Sequence, residues 1–309
     1  MSKQEVVICH NLERKTCKKA VTSKTYDKLF ILTDEHTRTY CLPIIEKYPF
    51  LAQAEHICIG VEDIHKNLET LAYVWSQLSN KGGTRHSLMI NLGGGMITDL
   101  GGFAAATFKR GIDMVNIPTT LLAMVDASVG GKTGINFNGL KNEIGVFAPA
   151  NYVLIDCEFL KSLDYPNILS GYAEMLKHGL ISNTEHWSEL IKFDMEHVDY
   201  KHLQQLVATS IEVKSKKVVE QDPFEQKYPQ GLKLRTYRRS CIRKFCSGNR
   251  TSCIAWICRS MRNGVRTILF TSQGWFPPKT SYALPYSSSR SITGNWHSAV
   301  RIMTVCTSL

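Results

Sequence analysis

The chain has 309 residues, 43% of them hydrophobic, which is enough for two domains that each bury a core. It contains no run of eighteen or more apolar residues and no signal-peptide pattern at its first residues, which predicts a soluble, cytoplasmic protein that does not enter a membrane. Its ten cysteines include no C-x-x-C pair, which argues against a cysteine zinc site and, for a cytosolic chain, predicts reduced thiols.

Charge is distributed unevenly along the chain. The formal net charge is +10, yet residues 1–225 have 23 basic and 27 acidic residues, whereas residues 226–309 have 14 Lys and Arg and no Asp or Glu. Folded domains normally carry both signs. Because this basic tail also lacks helical or strand periodicity, we expect that it does not pack as a native domain. A tail that binds nucleic acid is the alternative interpretation.

Before the tail, apolar patterning predicts strands that alternate with helices. The predicted strands are residues 28–34, 56–60, 88–92, 114–117 and 152–156, and the clearest helices are 67–79, 169–182 and 202–220. This order is typical of an α/β domain, with a parallel sheet covered on both faces, over residues 1–150. A mostly helical second domain follows over residues 151–225 and is incomplete here, with residues 226–309 as the tail.

The glycine run after the strand at 88–92 is the most informative local signal. A buried strand that leads through Gly93, Gly94 and Gly95 into a helix brings backbone N–H groups against a phosphate. Two short phosphate-binding motifs nevertheless fail here. Thr98 stands where a dinucleotide fingerprint needs its third glycine, and Asp126 stands where a P-loop needs its first.

Four longer motifs occur in order along the chain. They are G-G-G-M-I-T-D-L-G-G-F-A-A-A-T-F-K-R-G at 93–111, P-T-T-L-L-A-M-V-D-A-S-V-G-G-K-T-G-I-N at 118–136, K-N-x-I-G-x-F at 141–147 and G-Y-A-E-M-L-K-H-G at 171–179. Together they resemble the 3-dehydroquinate synthase family of sugar-phosphate cyclases, over about residues 25–225. The resemblance implies a Rossmann-like NAD-binding domain followed by a domain for metal and substrate.

The resemblance also implies roles for individual residues. Positions that match NAD contacts of the family are Asp34, Asp63, Lys66, Gly94, Gly95, Asp99, Thr119, Thr120, Lys141, Phe159, Lys161 and Ser162. Positions that match substrate or catalytic residues are Arg110, Asp126, Lys132, Asn142, Lys177, Lys214 and Glu225. Arg and Lys suit the carboxylate and phosphate of such a substrate. Glu174 matches the metal-binding carboxylate of the family. For Lys214 the spacing to the following residues is one longer than in the family.

After Glu225 the sequence departs from the family pattern. The family continues with a G-H-x-x-G-H segment and a later His-Gly pair that complete the metal site, but His297 is the one histidine in residues 203–309. When permitted codons for residues 235–244 are read one base later, they can encode G-H-T-V-G-H-A-F-E. Residues 250–258 treated in the same way can encode G-R-P-V-L-H-G-Y-A. We therefore interpret the tail as the product of a single-base frameshift, in the gene or in its sequencing.

The implied reaction converts 3-deoxy-arabino-heptulosonate 7-phosphate, a phosphorylated keto acid, to 3-dehydroquinate and phosphate. It implies NAD and a divalent metal (zinc or cobalt) as cofactors, the shikimate pathway as the setting, and no nucleic-acid or membrane partner. A homodimer is a candidate assembly. With one of three metal ligands, the chain as written is expected to be impaired. The alternatives are an inactive product with a non-specific basic tail, a related metal-dependent polyol dehydrogenase, and a sugar-phosphate cyclase with another substrate.

Overall fold

The computed structural model describes residues 4–9, 14–195 and 197–216, together with 270–271 and 274–275. Internal contacts divide the chain into two compact units, Met1–Gln226 and Lys227–Leu309. In the second unit the described residues form two short antiparallel strands, β9 (Phe270–Thr271) and β10 (Gly274–Trp275).

The elements alternate as the sequence predicts. The strands are β1 (Glu5–Ile8), β2 (Leu29–Asp34), β3 (Glu55–Ile59), β4 (Leu88–Gly93), β5 (Asp113–Pro118), β6 (Lys132–Phe137), β7 (Leu140–Phe147), β8 (Tyr152–Ile155), β9 (Phe270–Thr271) and β10 (Gly274–Trp275). The α-helices are α1 (Arg14–Thr22), α2 (Glu35–Tyr40), α3 (Leu42–Glu46), α4 (Leu68–Asn80), α5 (Gly95–Thr107), α6 (Tyr165–Ile181), α7 (Thr184–Lys192) and α8 (Tyr200–Lys214).

Six strands form a parallel sheet in the order β1-β8-β5-β4-β2-β3. The central strand β4 is buried along its whole length, because it has a parallel neighbour on each side and helices over the sheet. The predicted α/β fold with a Rossmann-like sheet is therefore confirmed. The further division of the first unit at residue 150 stays a prediction.

Two adjacent glycines let α5 pack close to its neighbours. A Cβ added at Gly101 would lie 2.1 Å from Asn91 Oδ1 on β4, and one added at Gly102 would lie 2.5 Å from Thr133 Cγ2 on β6. Behind α5, the buried side chain of Asn91 donates a 2.9 Å hydrogen bond to Asn116 Oδ1 on β5. The helix is thereby held against the sheet on one side and the β6–β7 hairpin on the other.

The antiparallel β6–β7 hairpin was not predicted from the sequence. Every residue of β7 is exposed, so the strand shows no buried face that would reveal it in the sequence. The predicted helix 169–182 begins earlier, at Tyr165, because Asp164 caps it by accepting a hydrogen bond from the Asn167 N–H. The predicted helix 202–220 begins at Tyr200, and its residues 217–220 lie outside the described part. No helix among the described residues is long and apolar enough to cross a membrane.

Candidate active site

The glycine turn lies at the carboxyl edge of the sheet and is closely surrounded. A Cβ added at Gly94 would lie 3.0 Å from Thr120 Cγ2, and one added at Gly95 would lie 3.3 Å from Ala127 Cβ. The N–H of Thr119 donates to the carbonyl of Gly93 (3.0 Å), which joins the ends of β4 and β5. The turn therefore leaves the N-terminal N–H groups of α5 accessible. Because Gly94 and Gly95 have no side chains, an anionic ligand can approach these N–H groups.

Asp34 ends β2 at the same edge of the sheet. Its Oδ1 accepts hydrogen bonds from the Thr37 N–H (2.7 Å) and hydroxyl (3.0 Å), so that it caps α2. After β8, a 3-10 helix at Cys157–Ser162 brings Ser162 toward this region. Buried Cys41 interacts with Ser162, and burial raises the pKa of its thiol to about 11.

Beside the turn, a buried lysine joins three predicted positions. The Nζ of Lys66 donates to Asp99 Oδ2 at 2.9 Å and to the side-chain oxygen of Asn142. Lys141 pairs with Asp63, whose Oδ1 lies 4.0 Å from Lys66 Nζ. Burial raises the pKa of Asp99, and Lys66 opposes that shift by favouring the carboxylate. These groups form one network, although they come from separate parts of the chain.

Asp126 organises a second group of charges next to the turn. It lies in the π-helical turn Ala123–Ala127, whose Ala127 touches the glycine turn, and Lys214 of α8 contacts both its carboxylate and its backbone carbonyl. Burial would raise the pKa of Asp126, but Lys214 and Lys177 outweigh it and hold that pKa below its ordinary value. The side chain of Asp126 is 44% exposed, so solvent reaches this group of charges.

Glu174 lies on α6 beside these lysines and is 6% exposed. Lys177 contacts its Oε1, and His178 Nε2 lies 3.5 Å from the same oxygen. Burial and then Asp126 raise the pKa of Glu174, while burial and Lys177 lower the pKa of His178 to about 3. His178 is therefore neutral at pH 7.

The carboxylate of Glu174 meets one requirement of a metal ligand. It is a buried oxygen donor, although Lys177 Nζ already contacts its Oε1. Within the described parts of the chain, however, no three His, Cys, Asp or Glu residues are grouped as a metal site. The described residues therefore supply one candidate metal ligand, Glu174, and not a complete metal site.

The remaining predicted residues differ in position and burial. Lys132 begins β6 and is exposed, Lys161 pairs with Glu158 at 2.6 Å on the surface, and the side chain of Phe159 is 1% exposed and belongs to the core. Arg110 follows α5, whose thirteen residues span about 20 Å from the glycine turn. Glu225 lies outside the described residues.

Three residues of the site were missed by the sequence analysis. Cys41 lies next to the predicted positions Thr119 and Ser162, and His178 contacts Glu174. Asn136 holds the hairpin in place, because its side chain donates a hydrogen bond to the carbonyl of Asp63 (3.1 Å). For His178 a signal exists, because it stands four residues after Glu174 and therefore on the same helix face. Nothing local in the sequence distinguishes Cys41 or Asn136.

Solved structures define the class of protein by its fold. A 2-deoxy-scyllo-inosose synthase complexed with carbaglucose-6-phosphate, NAD+ and Co2+ matches with a TM-score of 0.69 at 20% identity, over 82% of this chain and 72% of the other. The 2-epi-5-epi-valiolone synthase of Streptomyces hygroscopicus subsp. jinggangensis 5008, with NAD+ and Zn2+ bound, matches with a TM-score of 0.69 at 24% identity, over 84% and 73%. The chain therefore has the fold of the sugar-phosphate cyclases.

Sequence comparison specifies the family. The profile "3-dehydroquinate synthase N-terminal" matches residues 56–170, and the profile "3-dehydroquinate synthase C-terminal" matches residues 171–234. A 3-dehydroquinate synthase of Parabacteroides distasonis is 54% identical over 226 residues, which are 73% of this chain and 64% of the relative. One of Oceanobacillus iheyensis is 39% identical over 212 residues, 68% and 58% of the two chains. The chain belongs to the 3-dehydroquinate synthase family, and the match spans about three fifths of these relatives' length.

Proposed function

We propose that the protein is a 3-dehydroquinate synthase by descent, with 3-deoxy-arabino-heptulosonate 7-phosphate as substrate and 3-dehydroquinate and phosphate as products. The observation that carries the proposal is the contact between the glycine turn and the turn that bears Asp126, since Gly95 and Ala127 are adjacent. A cradle for a nucleotide and a lysine-rich cleft for an anionic substrate thereby share one edge of the sheet. The family membership supports the same reaction.

NAD fits the first of these two sites. Backbone N–H groups at Gly94 and Gly95 would bind its diphosphate, Asp34 lies where the ribose hydroxyls would be bound, and Lys66 positions Asp99 beside the turn. When bound, NAD would supply reversible hydride transfer: a ring carbon that bears a hydroxyl group would lose its C–H hydride while the hydroxyl loses a proton, and the later return of the hydride keeps the reaction redox-neutral overall. Two structurally similar cyclases hold NAD+, which supports this assignment.

The lysine pair would hold the charged ends of the substrate. Lys177 and Lys214 both act on Asp126, whose carboxylate keeps the two ammonium groups close together. Each lysine is paired with a carboxylate, Lys214 with Asp126 and Lys177 with Glu174, and the two ammonium groups are donors that suit a phosphate or carboxylate. Holding both ends in one pose allows the successive steps of oxidation, elimination and ring closure to occur without release of the substrate.

We further propose that the chain as written is impaired, because its metal site is incomplete. The similar cyclases carry Co2+ or Zn2+, and Glu174 would supply one ligand here. The matching histidines are absent from residues 226–309, but permitted codons for that stretch can encode them when they are read one base later. A frameshift after Glu225 accounts for this loss, for the absent carboxylates and for the lost periodicity together.

A homodimer would explain the position of Arg110. This predicted substrate residue lies near the edge where the strands begin, about 20 Å of helix away from the glycine turn of its own chain. A second copy could bring its Arg110 to the cleft, and the exposed Leu140, Val146 and Phe147 of β7 offer an apolar surface for such a copy. We also propose a cytoplasmic location, where the free thiols of the described cysteines stay reduced.

The test compares the chain as written with a repaired chain in which the shifted frame follows Glu225. The coding DNA across codons 210–260 is sequenced first, and both proteins are then assayed for phosphate release and for NADH. The repaired protein should release phosphate without net reduction of NAD, and the printed chain should not turn over. Net NAD reduction would reject the synthase and indicate a polyol dehydrogenase. Turnover by the printed chain would reject the impairment.

Mixed dimers test the role of Arg110. Repaired R110A and repaired K177M should each be inactive alone, and their mixture should recover activity because one site of each heterodimer receives both intact residues. A mixture that dimerises and stays inactive would show that Arg110 acts within its own chain.

A further inference from the structure

A cavity of about 480 Å³ opens at the edge of the sheet where the strands begin, opposite the glycine turn. Loops that precede four neighbouring strands line it. They contribute Tyr26 before β2, Arg85 before β4, Asp113 at the start of β5 and Asn151 before β8. A volume of a few hundred Å³ is typical of a pocket for a small molecule.

The acidic group of this cavity is already satisfied by protein donors. The carboxylate of Asp113 accepts hydrogen bonds from Lys24 Nζ (2.7 Å), Tyr26 Oη (3.0 Å) and Asn151 Nδ2 (3.3 Å). Burial would raise the pKa of Asp113, but the hydrogen bonds from Lys24 and Tyr26 outweigh it and lower that pKa. Asp113 is therefore ionised and balanced by Lys24, so the cavity does not need a cation.

The uncompensated positive charge of the cavity comes from Arg85. Its guanidinium has no hydrogen-bond or ion-pair partner in the described part of the chain, and the neighbouring His86 adds ring nitrogens at the same rim. An unpaired guanidinium presents a planar set of N–H donors that matches a carboxylate or a phosphate. The polar side of the cavity is thus complementary to one anionic group.

The cavity also has an apolar part. Ile112 and Met114 are buried beneath it, and Ala106, Ala148 and Pro149 complete it with small side chains that leave room for a ligand. Covering such a wall with hydrocarbon is favourable, because apolar surface is removed from water. Inorganic anions alone would leave it exposed.

We propose that this cavity is a binding site for a small organic anion, in which Arg85 binds a carboxylate or phosphate group and the apolar wall covers a compact hydrocarbon body. The site is separate from the candidate active site. The six residues of β5 run from Asp113 to Pro118, next to the predicted NAD position Thr119, which separates the two sites by about 17 to 20 Å. Within one chain, occupancy of one site therefore does not block the other.

The test uses 4-fluorobenzoate as the probe and the full chain as the protein. Broadening and shift of the fluorine NMR signal report binding, with a dissociation constant on the order of 1 mM for a ligand of this size. Replacing Arg85 by alanine should weaken binding about tenfold or more, because the charged partner is lost. Arg38→Ala is the matched control, since Arg38 is an exposed arginine on α2 at the other edge of the sheet.

Two further measurements make the outcome decisive. The neutral analogue 4-fluorobenzyl alcohol should bind markedly more weakly, and saturating NAD should leave 4-fluorobenzoate bound. The proposal is wrong if wild-type protein does not bind 4-fluorobenzoate, if R85A binds it as well as R38A does, if the neutral analogue binds equally, or if NAD displaces the probe.

Discussion

Replacing Lys66 with methionine would remove the ammonium that pairs with Asp99 and leave the side-chain length nearly unchanged. The side chain of Lys66 is 6% exposed and that of Asp99 is 21% exposed, so the carboxylate would remain largely buried without its cation. Removing one partner of a buried ion pair costs about 3–5 kcal/mol. Because Asp99 retains some contact with water, we expect a loss of about 3 kcal/mol in the free energy of unfolding at neutral pH.

The size of this loss should depend on pH. Burial raises the pKa of Asp99 and Lys66 opposes the shift, so the folded-state pKa should rise further in K66M. A carboxyl group whose pKa is higher in the folded state makes the folded protein bind more protons. Stability therefore falls as pH rises from the unfolded pKa through the folded one. K66M should be closer to wild type at about pH 4.5 than at about pH 7.

Urea unfolding of wild type, K66M, D99N and the double variant at both pH values measures the coupling. The double variant should recover much of the stability that K66M loses, because no uncompensated charge remains. Lys141→Met is the control, since the side chain of Lys141 is 70% exposed and its pair with Asp63 should contribute less than about 1 kcal/mol. Equal losses by K66M at both pH values would refute this account of Asp99.

Two backbone positions give further predictions. Glu62 has φ 71° and ψ 164°, a conformation that costs a non-glycine residue about 1–3 kcal/mol. Glu62→Gly should therefore raise the free energy of unfolding, measured with urea, by about 1 kcal/mol. Glu69→Gly in α4 is the control and should lower it by a similar amount. A less stable E62G would contradict this. Gly101→Ala should lose at least about 2 kcal/mol in thermal or urea unfolding, because its Cβ would lie 2.1 Å from Asn91 Oδ1; unchanged stability would show that α5 shifts freely.

The sheet could be predicted because its strands are short apolar runs between turn residues. β4 shows this most clearly, since all six of its residues are buried. The β6–β7 hairpin could not be predicted in this way. Gly134 and Gly145 face each other across it, and a Cβ at Gly145 would lie 2.0 Å from the Thr133 carbonyl. These glycines allow the close approach of two strands, which no apolar pattern in the sequence reveals.

Only part of the candidate site could be predicted from the sequence. The family motifs identified Lys66, Asp99 and Asn142 as separate NAD or substrate positions, but their mutual pairing joins residues 33 and 76 positions apart and depends on the fold. The same holds for Arg110, whose motif places it among substrate residues while the length of α5 carries it away from the cleft of its own chain. Residue types follow from local patterns, whereas distances between them follow from tertiary packing.

Lys214 and Lys216 differ in burial and in their ion-pair partners. The sequence leaves its register with the family uncertain by one residue, but Lys214 contacts Asp126 with a side chain that is 12% exposed, whereas the side chain of Lys216 is 68% exposed and pairs with Glu212 at 3.3 Å. In the repaired chain, Lys214→Met should lower kcat/KM by about a hundredfold or more, because one of the two cations that hold the substrate is lost.

Lys216→Met should stay within about twofold of the parent, since a surface ion pair of this kind contributes little. Replacing Lys214 should raise the pKa of Asp126, because Lys214 helps to keep that pKa low, whereas replacing Lys216 should leave it unchanged. If K216M lowers kcat/KM strongly and K214M does not, the substrate lysine lies further along the chain. The end of α8 would then place Lys216, and not Lys214, next to Asp126.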